Sequence, residues 1–130
     1  MTLALDDRIA IHEVLALHGH LTDRGETSRF HEVFTDDVVY DLSAVGGGVL
    51  VGLDVLTGGK QAAMTDNPRN PVAQHVTNIV LTAESPDTVL SISKSLGVRA
   101  DGTCVSVTYH DVLRRRPEGW RVAHRSVFTS

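Results

Sequence analysis

The 130-residue chain has a single cysteine, Cys104, so it can close no disulfide within itself. That residue alternates with polar neighbours along a strand-like run and has no activating partner in sequence, which fits a small packed hydrophobe. No apolar run approaches the ~20 residues that a membrane helix needs. The opening MTLALDDRIAIHEV carries Asp6, Asp7 and Glu13 where a signal peptide would have a basic start and an apolar centre. Basic residues are not in excess: 12 stand against 16 acids, for a formal charge of −4, and this leaves no footprint for nucleic acid. The one cationic cluster, Arg114-Arg115-Arg116, runs into PEGW and is expected at the solvated end of a hairpin. Metal-ligand spacing is missing too. There is no H-x-x-x-H pair and no thiolate cluster, and His18 and His20 would lie about 200° apart around a helix. These absences lead us to expect a soluble cytoplasmic protein with no nucleic-acid or membrane partner, no metal and no organic cofactor.

What is present reads as one ordinary globular domain, residues 1–130. The composition is 42% hydrophobic and 22% charged, the length suits a single core, and no repeat or linker interrupts the chain. Over residues 5–23, Ile9, Ile11, Val14, Leu15, Leu17 and Leu21 recur at three- and four-residue steps, which predicts a long amphipathic helix ended by Gly25. Asp6 and Asp7 suit its positive end. A short helix is expected through TSRFHEVF, capped by Thr27 or Ser28, and a strand from about Val38 through DDVVYDLS. LDVLTGGKQAAM predicts a third helix, short or broken at Gly58-Gly59, where each glycine costs about 1 kcal/mol relative to alanine. After the turn residues DNPRNP come four β-rich runs, 72–83, 87–99, 103–115 and 119–128, separated by ESPD, ADG and RPEG. Such spacers make hairpins. Helices followed by a run of antiparallel strands give an α+β domain: a curved sheet, cone-shaped, wrapped around the long first helix, with a pocket at its open mouth.

That element order, together with LALHGHLTDRGE, FTDDVVYDLS, Gly52 before the third helix, QHVTN and YHDVLRRRPEGWRVAHR, resembles the NTF2-like superfamily of α+β cone folds. The chain looks most like its SnoaL-like and scytalone-dehydratase-like enzymes. The resemblance implies a cone with an antiparallel or mixed sheet and two shorter helices, and a homodimer or higher homo-oligomer. It also implies a pocket for a hydrophobic oxygenated small molecule. In scytalone-dehydratase-like members the pocket holds an Asp near the end of the first helix, a His on the strand after the third helix and a Tyr on the first strand. The matching positions are Asp23, His75 and Tyr40. A second catalytic His of that group falls near Arg99, so that part of its machinery is altered. In ketosteroid-isomerase-like members the base is an Asp on the first strand, here Asp41, and the oxyanion-donating Tyr of the first helix falls near His18.

Each residue has a plainer reading beside this one. By strict alternation His75 shares a face with Ala73, Thr77, Ile79 and Leu81, a wall suited to a dry pocket, yet a lone strand histidine can also be a satisfied core residue. Burial would lower its pKa and a carboxylate such as Asp23 would raise it. Asp23, at the negative end of a helix, otherwise makes a local turn. Tyr40 and Asp41 point to opposite faces; Asp41 alternatively serves the turn at Ser43. His18 lies near the apolar stripe. Tyr109 and Asp111 share a face of their strand. Arg99-Ala100-Asp101 resembles the Arg-x-Asp of limonene-epoxide-hydrolase-like members but runs straight into Gly102, as a hairpin would. Asn78 is expected to bond structure, and Trp120 to be core.

The resulting expectation is a cofactor-independent lyase or isomerase, first a dehydratase, with His75, Asp23 and Tyr40 as catalytic residues and His18, Asp41, Arg99 and Tyr109 as substrate-binding residues. His75 would take a proton beside a carbonyl, and Tyr40 would stabilise the enolate. An isomerase or cyclase using Asp41 as base is the alternative enzyme. A non-catalytic small-molecule-binding or accessory protein is the alternative of another class.

Overall fold

A computed structural model describes residues 2–64 and 67–129. Helix α1, Leu5–Arg24, is followed by a 3-10 turn over Thr27–Glu32. Strand β1 (Phe34–Asp41), a short β2 (Val49–Val51) and helix α2 (Leu53–Ala63) come next. Four long strands close the chain: β3 (Ala73–Ser85), β4 (Thr88–Val98), β5 (Cys104–Arg116) and β6 (Gly119–Thr129). Together the strands make one six-stranded sheet of order β2-β1-β6-β5-β4-β3. Every pairing is antiparallel except β1 with β6, which is parallel. The α+β architecture with a mixed sheet is the expected one.

Ile11, Leu15, His18 and Leu21 form the buried stripe of α1, at the spacing that brings residues to one helical face, whereas Ile9 is exposed. The helix ends as its glycine suggested. Gly25 adopts φ +67°, and the Glu26 N–H donates to the Leu21 carbonyl at 2.9 Å, a Schellman closure. Gly19 matters for a different reason. A Cβ there would stand 2.9 Å from the Gln74 carbonyl oxygen, so its absence lets α1 lie directly on the backbone of β3.

Four local expectations are corrected. The TSRFHEVF segment is 3-10 rather than α, with no side-chain cap, and Arg29 ties it by ion pairs to Glu26 and Glu32. Strand β1 starts at Phe34, earlier than its polar residues Thr35, Asp36 and Asp37 implied. Helix α2 runs unbroken through Gly58-Gly59, because Leu56 is buried in the core and anchors it. The arginine cluster is not simply solvated. Arg115 holds Asp7 with two hydrogen bonds of 2.9 Å and lies over the Trp120 ring, whose Nε1 also donates to Asp7. Asp7 thereby clamps the first turn of α1 to the β5–β6 hairpin.

Candidate functional site

Two β-bulges decide which side chains enter the sheet's inner face. In β3 the pairing with β4 passes from Thr77↔Lys94 to Val80↔Ile92, which inserts one extra residue. Asn78 takes it up at φ +56°, a left-handed conformation that asparagine tolerates better than most residues. Gln74 and Val76 face inward before the bulge, and Ile79, Leu81 and Ala83 after it. In β6 the pairing passes from Val112↔His124 to Leu113↔Val122, so Ala123 is the extra residue. Trp120 and Val122 are buried on one side of it, Arg125 and Val127 on the other. The bulge thus turns an arginine into the interior.

Tyr40, Arg125, Asp111 and Ser91 then form one row across β1, β6, β5 and β4, each the register partner of the next. All four are buried. Arg125 donates from Nε and Nη2 to the two Asp111 oxygens at 2.8 and 2.9 Å, with both side chains essentially inaccessible. Its guanidinium lies 3.8 Å from the centre of the Tyr109 ring. Burial opposes the Arg125 charge, but the Asp111 carboxylate overrides it and holds the guanidinium pKa above its ordinary value. On β4, Ser91, Ser93 and Ser95 point inward while Leu90, Ile92 and Leu96 are exposed. The usual polarity of a strand is inverted, and the interior is lined with small polar groups.

Helix α1 brings His18 to this row. Its ring packs edge-on against Phe34 and Tyr109 and beside Phe30, and its Nδ1 lies 3.5 Å from Arg125 Nη1. A guanidinium can only donate, so Nδ1 accepts and the ring proton sits on Nε2. Burial first, then the charges of Arg125 and Lys60, keep the His18 pKa well below 6.5. The imidazole is therefore neutral, with a buried Nε2–H that has no partner among the described residues. Helix α2 supplies Lys60, whose Nζ lies 3.4 Å from the Tyr40 hydroxyl and 4.7 Å from the centre of its ring. Burial lowers the Lys60 pKa. Burial raises that of Tyr40, and of Tyr109 next to it. A small cavity of about 110 Å³, lined by Gln74, Ser95, Gly97 and Tyr109 among others, meets the interior groups at Ser95 and Tyr109. Two larger clefts, of about 640 and 620 Å³, hold none of these interior polar groups, and a third, of about 350 Å³, includes Ser91 and Asp111 in its lining, between Leu90, Ile92, His110 and Val112. Among the described residues, no three His, Cys, Asp or Glu side chains come together to hold a metal.

The profile of the SnoaL-like domain family matches residues 3–126. The chain belongs to that family. Solved structures repeat the fold. A proposed aromatic ring hydroxylase from Novosphingobium aromaticivorans is 26% identical, with a TM-score of 0.79, covering 98% of this chain and 92% of that one. A protein with a cystatin-like fold from Nostoc punctiforme reaches a TM-score of 0.86 at 18% identity over 100% and 96% of the two chains. A proposed scytalone dehydratase from Novosphingobium aromaticivorans gives 0.80 at 16% identity over 97% and 85%. The last two are likenesses of fold alone. A search of curated proteins finds no match.

This SnoaL-like domain gathers some of the residues its sequence pointed to and disperses others. Tyr40, His18 and Tyr109 meet in the interior. His75 does not: it is exposed, because the inward positions of β3 before the Asn78 bulge are Gln74 and Val76. Asp23 is exposed as well, and its carboxylate accepts the Gln74 backbone N–H at 2.9 and 3.2 Å, pinning the end of α1 to the start of β3. The Asp23–His75–Tyr40 convergence is therefore corrected. Asp41 accepts the backbone N–H and hydroxyl of Ser43 at 2.9 and 2.6 Å, which hold its carboxyl below the usual range in a tight turn. Arg99 donates to the Arg69 carbonyl at 2.8 Å, and the hairpin closes through Thr103 on Asp101. Neither reaches the cluster. Arg125, Asp111 and Lys60 are the site residues that the sequence reading did not assign. The signal for Arg125 was hidden by the Ala123 bulge; that for β4 lay in the serine alternation of VLSISKSL.

Proposed function

We propose that this SnoaL-like domain is a cofactor-independent lyase or isomerase, in first place a dehydratase of a small hydrophobic oxygenated carbonyl compound, with its site at the interior cluster. The observation that carries the reading is a set of unspent proton donors in a buried place. Among the described residues His18 Nε2–H has no partner, and Lys60 meets two tyrosines and an arginine but no carboxylate. The structural relative named as an aromatic ring hydroxylase, 26% identical, supports a catalytic role.

Burial lowers the Lys60 pKa, the direction that favours its amine as a general base. That amine takes the proton beside the substrate carbonyl. Negative charge then grows on the carbonyl oxygen, where the Tyr40 hydroxyl and the neutral His18 Nε2–H donate. The Lys60 ammonium returns its proton to a hydroxyl two carbons away, which departs as water and leaves the enone with the enzyme restored. Return of the proton to a different carbon gives isomerisation by the same groups. Arg125 and Asp111 position the site: they fix the tautomer of His18 and the plane of Tyr109.

The test is turnover on a panel of β-hydroxy ketones, followed by enone absorbance. Lys60→Met keeps an unbranched stem, one atom shorter, and removes the amine; it should lose about 10²–10⁴ in kcat. His75→Gln should retain turnover within about twofold, as an exposed residue does. Full turnover by a folded Lys60→Met variant refutes the proposal. The small size of the cavity favours a second reading, in which the domain binds a ligand without converting it. Saturable binding with no product on the panel would support that reading.

A further inference from the structure

Helix α1 carries a second apolar stripe, which the fold leaves uncovered. Its buried stripe, Ile11, Leu15, His18 and Leu21, faces the interior, yet Leu5 and Ile9 are 71% and 51% exposed. Leu5, Ile9, His12 and Ala16 recur at steps of four, three and four residues, the a and d spacing of a two-stranded coil. They line an open cleft of about 620 Å³, whose other wall is Val76 and Ile79 of β3. Strand β3 is itself an edge of the sheet. The Asn78 bulge interrupts it, but from Ala73 to Ala83 no Lys, Arg, Asp, Glu or Pro guards it against pairing.

Charge decides what covers this face. Arg8 and Glu13 line the same cleft. At about 100° per residue they flank the apolar stripe on opposite sides, Arg8 at a g position and Glu13 at an e position. Among the described residues neither has an ion-pair partner. A second α1 laid parallel to the first, about a two-fold axis running along the pair, sets each Arg8 on the same rim as the other copy's Glu13. An antiparallel pair would instead set Arg8 beside Arg8 and Glu13 beside Glu13. The charges therefore select one self-complementary arrangement.

We propose that this face is a homodimer contact, in which a second copy of the chain docks its α1 parallel to the first and into the cleft beside β3. The stripe from Leu5 to Ala16 is about 17 Å long. Such a contact is at the small end of specific interfaces, so the dimer is weak and dissociates on the order of 10–100 μM. It lies outside the interior cluster and is independent of the proposed function.

The test is sedimentation velocity of the intact chain from about 1 μM to about 1 mM, a range that brackets this constant. Parent chain should pass from monomer to dimer across it. Ile9→Glu, which alters an exposed side chain and should leave the circular dichroism unchanged, should keep the chain monomeric throughout. Arg8→Glu and Glu13→Arg should each weaken the dimer about tenfold, because the two-fold axis counts every altered pair twice. Mixed together, these two variants regain opposite charges on both rims and should associate within about threefold of the parent. A parent chain that is still monomeric at about 1 mM overturns the proposal. So does a dimer that Ile9→Glu leaves intact, which would lie on another face. Single charge variants no weaker than the parent, with a mixture tighter than it, would mean antiparallel helices and overturn it as well.

Discussion

Replacing Arg125 with methionine tests whether the interior is organised around its ion pair. The guanidinium is held at 2.8 and 2.9 Å by an Asp111 carboxylate that is itself inaccessible to solvent. Removal of Arg125 strands that carboxylate in the interior, with Ser91 and Arg125 as its register partners on either side. Breaking a buried pair in this way costs about 3–5 kcal/mol. For a domain of this length, each kcal/mol lowers the melting temperature by roughly 3–4 °C, so Arg125→Met should melt roughly 10–20 °C below the parent. The double variant Arg125→Met/Asp111→Leu supplies the second arm. It removes both charges together with both desolvation penalties, and the pair's own net worth is small once those are counted. The double variant should therefore recover most of the loss, with a coupling of at least about 2 kcal/mol between the two sites. Urea unfolding followed by circular dichroism gives all three free energies. A loss below about 1 kcal/mol for Arg125→Met, or a double variant whose loss equals the sum of the singles, would refute the reasoning.

Two further perturbations separate the elements that build the site. His18 is neutral when folded because burial and the neighbouring cations depress its pKa, so between that depressed value and 6.5 the unfolded chain binds the extra proton. Stability should then rise with pH up to about 6.5 and be flat above it, with a slope of at most about 1.4 kcal/mol per pH unit. His18→Phe should flatten that slope in urea midpoints taken at pH 5 to 7; an unchanged slope would assign it to other groups. Asn78→Val forces a β-branched residue to φ +56° and should cost about 1–2 kcal/mol, with Asn78→Gly nearly neutral. Equal stability of the two variants would show that the bulge relaxes without cost.

Most of the element order was open to a reading of pattern and turn chemistry. Helix α1 announces itself by its apolar steps and by the glycine after it, and ESPD, ADG and RPEG each mark a hairpin. Strand β2 went unseen because three residues carry no period. Helix α2 survived two glycines through a single buried leucine, a tertiary contact that no local propensity reports. The site was legible only in part. Tyr40 and His18 were placed by a family pattern and by helical phase, which survive a small error in boundary, and Tyr109 shared a face with Asp111 by alternation along a strand that pairs with β4 without a bulge. His75 was placed by counting twos along β3, and one left-handed asparagine reverses that count.

The same arithmetic explains why the charged centre was hidden. From Trp120 and Val122, alternation sends Arg125 outward into solvent, where an arginine is unremarked. The Ala123 bulge sends it inward instead, onto Asp111. A charge inside a small domain is costly, and a sequence keeps one only where the surroundings hold it. Here the holding is done by residues that are themselves out of pattern: serines where β4 should be apolar, a neutral histidine on the helical stripe, a lysine on the short helix. The departures from hydrophobic alternation are spread over five elements, and the fold brings them to one place. A stability-driven core would have no use for that coincidence, least of all for a lysine with no counter-ion among the described residues. A site that must hold and move charge would.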